Sequence, residues 1–74
     1  MTGEEKSRLI LLLFQAYGNK SVEIAELFDQ AEEDEDLKQL VRESMLRFLR
    51  DNEVNAEDRE FLENLIAPFR PKEV

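Results

Sequence analysis

The chain has 74 residues, a formal net charge of −8 and 42% hydrophobic residues, which is the composition of one small, acidic, globular domain. It contains no cysteine and no histidine, so thiol catalysis, disulfide bonds, thiolate zinc sites and histidine acid–base chemistry are excluded. Stability must therefore come from the packing of a small core.

The first predicted helix covers residues 3–17 and is apolar over most of its circumference. Thr2 and Glu5 have the spacing of a capping box, and Gly18 is a natural helix end. At 100° per residue the apolar side chains fill an arc roughly 200° wide, as expected for a central helix packed by several neighbours. Leu11 falls outside this arc, on the polar side. The arc consists of Leu9, Ile10, Leu12, Leu13, Phe14, Ala16 and Tyr17.

Three further helices are predicted from capping residues and helical periodicity. Ser21 is the expected N-cap of a second helix, and Asp34 that of a third helix over 35–51. Asn55 and Asp58 resemble a capping box for a fourth helix, which Pro68 and Pro71 would end. No segment alternates with the period of a strand.

The third helix repeats the pattern of the first. Leu46 lies among polar residues that include Arg42 and Arg50, outside a wide apolar arc. That arc is formed by Leu37, Leu40, Val41, Met45, Phe48 and Leu49.

The predicted fold is all-α, a compact bundle of about four short helices with the first and third at its centre. A single helical domain is expected over 1–67, followed by a loosely ordered C-terminal tail over 68–74. The residues expected in the core are Leu12, Leu13, Phe28, Val41, Phe48, Phe61 and Leu65.

Leu11 and Leu46 predict a surface that another protein chain covers. Each is a large aliphatic residue in a polar sector, and the two apolar arcs are wider than a 74-residue monomer easily buries. Arg42 and Arg50 beside Leu46 fit an interface, where arginine is common next to apolar anchors. A homodimer is the simplest arrangement, and a different protein partner is the next. The alternative is ordinary exposed leucines beside a solvated basic face.

An acidic stretch runs from Glu23 to Asp36 and contains eight carboxylates and no base. A calcium loop starting at Asp34 is excluded, because Lys38 and Gln39 occupy positions that need an oxygen ligand and a glycine. Two interpretations remain. Carboxylates on a helical surface imitate phosphate charge, as in the small acidic inhibitors of phages and plasmids that the chain resembles in composition. Alternatively, Glu32, Glu33, Asp34, Glu35 and Asp36 form a solvated segment favoured by the helix dipole.

Direct nucleic-acid binding, catalysis and membrane insertion are not expected. The segment SVEIAELF carries Glu23, Glu26 and Asp29, which a duplex would repel. No phosphate-binding glycine loop or nucleophile motif is present, and no cofactor or metal is expected. The apolar run of six residues is far shorter than the roughly 20 that span a bilayer, and no signal peptide is recognised, so we expect a cytoplasmic protein.

The segment FLRDNEVNAEDREFLENLI, residues 48–66, resembles the helix–acidic turn–helix unit of TerB-like tellurite-resistance helical domains. This resemblance covers about a quarter of the chain, and Asp51-Asn52 replaces the aspartate-glycine turn usual in those domains. We assign no family from it.

The leading functional hypothesis is a small non-catalytic protein-interaction module, such as an adaptor, an inhibitor or a regulatory subunit. It would bind its partner through an apolar helical surface. The alternative is an acidic decoy that blocks a DNA- or RNA-binding protein.

Overall fold

The computed structural model describes residues 1–69, which form four α-helices and one short 3-10 helix. The helices are α1 (Gly3–Tyr17), α2 (Lys20–Ala31), α3 (Glu35–Asp51) and α4 (Ala56–Ile66), and the 3-10 helix is Ala67–Phe69. Because they pack in a compact globule and the described residues contain no strand, the predicted all-α bundle is confirmed.

Both ends of α1 are fixed by the residues that the sequence indicated. The Glu5 backbone N–H donates to Thr2 Oγ1 at 3.1 Å, and the Thr2 backbone N–H donates to Glu5 Oε1 at 2.7 Å, which completes the capping box. Gly18 has φ 55°, a left-handed conformation that glycine adopts without strain, and its N–H donates to the Phe14 carbonyl.

The starts of α3 and α4 also follow the prediction. The Asp34 side chain accepts hydrogen bonds from the backbone N–H groups of Asp36 and Leu37. The Asn55 side chain accepts one from the backbone N–H of Asp58. These bonds satisfy donors that a helix N-terminus otherwise leaves without partners.

The predicted N-cap of α2 is wrong. The helix begins at Lys20 with Asn19 in the N-cap position, and Asn19 makes no side-chain capping bond. Ser21 lies inside the first turn and is fully buried, and its hydroxyl donates to the Gly18 carbonyl at 2.7 Å. The serine therefore satisfies a carbonyl of the preceding turn instead of an N–H of its own helix.

The helix pairs whose backbones come closest are consecutive along the chain. In this arrangement α2 packs against both α1 and α3. The sequence did not predict this position for α2. Its buried Ser21, Ala25 and Ala31 have small side chains, which allows the neighbouring helices to come close. The short connections make these helix pairs antiparallel.

Side chains join α1 to the two helices that follow α2. The ring centroid of Tyr17 lies 5.9 Å from that of Phe48 on α3. The Arg8 guanidinium donates to Asp58 of α4 at 3.2 Å, and its Cζ lies 4.3 Å from the ring centroid of Phe61. This combination of an ion pair and a cation–π contact closes the bundle between α1 and α4.

One continuous core fills the centre of the bundle. Five of the seven predicted core residues are buried, whereas Phe61 and Leu65 are half-buried at its edge. Phe14 and Leu40 belong to the predicted apolar arcs but are exposed, because the arcs are wider than this small core can cover. The buried apolar residues are Leu9, Leu12, Leu13, Ala25, Phe28, Ala31, Val41, Met45, Phe48, Leu49, Leu62, Ile66 and Phe69.

The packed part of the chain extends beyond residue 67, where the sequence placed the end of the domain. Phe69 is buried, and its ring centroid lies 5.9 Å from that of Phe28. Pro68 ends the regular helix as expected, but the 3-10 turn directs the next aromatic ring back into the core. The rest of the predicted tail, 70–74, lies outside the described residues.

Phe48→Ala is expected to lower the free energy of unfolding by about 3–5 kcal/mol, because it leaves a cavity where a buried ring contacts Tyr17. Urea denaturation followed by circular dichroism measures this loss. Phe14→Ala is the matched control on a half-exposed ring and should cost less than half as much. Equal losses for the two variants would contradict the core assignment.

Glu5→Gln tests the capping box through pH. The backbone N–H of Thr2 lowers the pKa of Glu5 below its ordinary value of 4.5. A carboxylate with a depressed folded-state pKa stabilises the fold above its unfolded-state pKa, and this contribution is lost as the pH falls through the folded-state pKa. The melting temperature of the wild type should therefore exceed that of Glu5→Gln at neutral pH, and the difference between the two melting temperatures should become smaller in acid. A difference that does not change with pH would contradict this assignment.

Candidate protein-interaction surfaces

Five large hydrophobic side chains are exposed on the described part of the bundle. They are spread over α1, α2 and α3, and both leucines that the sequence singled out are among them. Their exposed fractions are 76% for Leu11, 55% for Phe14, 46% for Val22, 54% for Leu40 and 41% for Leu46.

The first surface is the outer face of the α1–α2 hairpin. Leu11 and Phe14 are three residues apart on α1 and therefore neighbours on its surface. The ion pair between Lys6 and Asp29, at 3.1 Å, fixes the register of the hairpin. In that register Phe14 lies opposite the first turn of α2, which carries Val22. Residues 11, 14 and 22 thus lie on neighbouring turns of the hairpin.

Leu11 also borders a shallow pocket between α1 and the connection from α3 to α4. Its other walls are mostly polar and include Gln15, Glu53 and Asn55, with Leu12 and Val54 as the other apolar members. This pocket offers hydrogen-bonding groups around a single exposed leucine.

The second surface surrounds Leu46 on a different side of the bundle. Arg42 lies one turn before Leu46 and is half-buried, and the exposed Arg50 lies one turn after it. Arg50 donates to the neighbouring Asp51 at 3.1 Å. The predicted set Arg42, Leu46 and Arg50 therefore forms one line along α3, and Leu46 does not line the pocket that Leu11 borders.

A third surface, the α2–α3 groove, was not predicted as a site. It is a cleft of about 260 Å³ between α2 and α3. Ile24 and Leu27 form its α2 wall, and Tyr17 of α1 lies at one end. From α3 come Leu40, Val41, Ser44, Met45 and Arg47.

The α2–α3 groove is mostly apolar, with Ser44 and Arg47 as polar members of its lining. Val41 and Met45 are buried and form the floor, whereas Ile24 and Leu27 are half-buried and Leu40 is half-exposed. The periodicity of each helix assigns these residues to the core. The only sequence signal for the groove is that the apolar arcs of three helices together exceed one core.

The acidic segment is a surface turn. All five carboxylates from Glu32 to Asp36 are exposed at the connection between α2 and α3. Asp34 caps α3, and Glu35 accepts a hydrogen bond from Lys38 at 3.2 Å. Part of the segment therefore has a structural role at the positive end of the α3 dipole. Within residues 1–69, no three carboxylates form a group that could hold a metal ion.

Comparisons with protein-family models, with curated proteins and with solved structures gave no match. The resemblance of residues 48–66 to a TerB-like unit is thus not accompanied by a family match. Among the described residues, no helix has the length and apolar character needed to cross a membrane.

Proposed function

We propose that this protein is a non-catalytic interaction module that binds another protein chain through exposed apolar residues of its helices. The observation that carries the proposal is the exposure of five large hydrophobic side chains on so small a bundle. Removing such side chains from water is the main driving force of protein association.

Several of the exposed apolar residues have apolar neighbours, although Leu46 lies apart from the others. Leu11, Phe14 and Val22 occupy adjacent turns of one hairpin, and Leu40 continues into an apolar groove. Isolated exposed leucines are common on protein surfaces, but contiguous apolar patches are typical of binding sites. A second copy of the chain or a different protein would bury them.

The chemistry of the chain supports a binding role over a catalytic one. It offers carboxylates, serines and a single tyrosine, without histidine or cysteine. Carboxylate pairs catalyse glycoside hydrolysis from the two sides of a bound sugar, which requires a cleft. Here the carboxylates from Glu32 to Asp36 lie on an open turn.

A second candidate function is an acidic decoy of nucleic acid. The consecutive exposure of Glu32, Glu33, Asp34, Glu35 and Asp36 favours it, because a basic groove of a DNA- or RNA-binding protein could accept these charges. A decoy would lose affinity steeply as salt rises, whereas an apolar interface would tolerate salt.

Leu11→Gln and Leu46→Gln test the leading proposal. Burial of a leucine contributes about 1.5–3 kcal/mol, so the loss of one from an interface should weaken association at least about tenfold. Sedimentation equilibrium and thermal melting at two protein concentrations measure self-association. Quantitative affinity capture from the native host, with wild type and each variant in parallel, measures partner binding.

Three outcomes separate the candidates. An interface residue lowers association while the helical circular dichroism spectrum is retained. If both variants self-associate and bind like the wild type, their side chains are not in the interface. If binding falls steeply with salt and on neutralising residues 32–36, while both leucine variants behave normally, the decoy is favoured.

A further inference from the structure

We propose that the α2–α3 groove binds an amphipathic helix of a partner protein, with the basic half of that helix toward its N-terminus. This inference rests on the proposed function and deepens it, because it assigns the binding surface, the conformation of the bound segment and its orientation.

The walls of the groove favour a helix over an extended segment. An extended peptide usually gains affinity by pairing its backbone with a strand edge, and a polyproline segment does so by packing on a groove lined with several aromatic rings, whereas this groove has Tyr17 alone. The described residues contain no strand, and α2 and α3 satisfy their own backbone groups. A bound helix likewise satisfies its backbone internally and presents only side chains to an apolar cleft.

The dimensions of the groove fit about two turns of helix. From Leu40 to Arg47 the α3 wall contains eight residues, and the seven helical steps between them span about 10 Å. A helix lying along this wall would place apolar residues at i, i+3 or i+4, and i+7 over Val41 and Met45. The flexible side chain of Met45 can adapt its shape to such anchors.

The charge along the groove differs between its two ends. Because α2 and α3 are antiparallel, Leu40 lies toward the α2–α3 turn, and Tyr17 lies at the opposite end. At the Leu40 end, Asp36 lies one turn before Leu40, next to the exposed carboxylates of the turn. At the Tyr17 end, Lys20 and Arg47 are each followed one turn later by a carboxylate, Glu23 and Asp51, so this end is much less acidic than the other but is not basic.

This difference in charge orients the bound helix. A helix carries positive partial charge at its N-terminus and negative partial charge at its C-terminus. Its N-terminus is therefore favoured over the acidic turn, and its C-terminus near Lys20 and Arg47. Lysine or arginine in the first half of the segment adds to this complementarity and suits the net charge of −8.

The test uses a phage-displayed library of helical peptides of about 14 residues, four turns long, selected on the folded protein at physiological salt. Enriched peptides should show the apolar spacing described above, with lysine and arginine concentrated in the N-terminal half. The best peptide is then synthesised with a fluorescent label, together with an isomer in which the charges of the two halves are exchanged.

Affinities follow from fluorescence anisotropy of the labelled peptide. Leu40→Gln should weaken binding at least about tenfold, or about 1.4 kcal/mol, and the charge-exchanged isomer should bind more weakly. Glu63→Gln, an exposed position on α4 outside the three candidate surfaces, is the control and should leave affinity unchanged. Ser44→Trp fills the groove without removing an apolar contact and should also abolish binding.

The fluorescence of Tyr17 reports independently whether the peptide binds in the α2–α3 groove. It is the only tyrosine of the chain, tryptophan is absent, and it lies at the end of the groove. An unlabelled peptide free of tyrosine and tryptophan should therefore change the intrinsic fluorescence of the wild-type protein on binding.

The experiments distinguish a wrong assignment of the groove from a wrong assignment of the function. Peptides that depend on Leu11 or Leu46 but not on Leu40 would overturn the groove and leave the interaction function standing. Absence of enriched peptides, or equal binding of the charge-exchanged isomer, would overturn the proposal for the groove. The leucine variants assayed against the native host test the proposed function separately.

Discussion

The close approach of α2 to both of its neighbours is the constraint on which the rest of the bundle depends. It is possible because Ser21, Ala25 and Ala31 present little more than a Cβ atom to the interior, and all three are fully buried. Larger side chains at these positions would separate the helices and open the core. The Ser21 hydroxyl would be costly to bury alone, but its bond to the Gly18 carbonyl satisfies it.

The sequence predicted the features that arise from local chemistry. The caps at Thr2, Asp34 and Asn55 and the glycine at the end of α1 depend on residues three or four positions apart, so their patterns are readable without a fold. Ser21 has the same local signature, yet tertiary packing uses its hydroxyl differently. Periodicity likewise shows which apolar side chains share one face of a helix, but it does not show whether a neighbouring helix covers them.

The same limit explains which parts of the candidate surface the sequence could indicate. Leu11 and Leu46 are conspicuous because polar residues surround them on their own helices, and both are exposed. Leu40 and Ile24 lie within ordinary apolar arcs and therefore resemble core residues. They line a groove together with Tyr17, and this arrangement arises from the packing of three helices together.

The Arg8 contacts have a consequence for how the native state opens. Close backbone approaches join consecutive helices, whereas α1 and α4 meet through side chains, including those of the shared core and the Arg8 guanidinium between Asp58 and Phe61. Two helices that meet mainly through side chains separate at a lower free energy than two helices whose backbones are closely packed. Native-state hydrogen exchange should therefore find that α4 opens before the α1–α2 hairpin. Lysine would be a poor replacement at position 8, because it keeps the charge but loses the planar group that stacks on the ring.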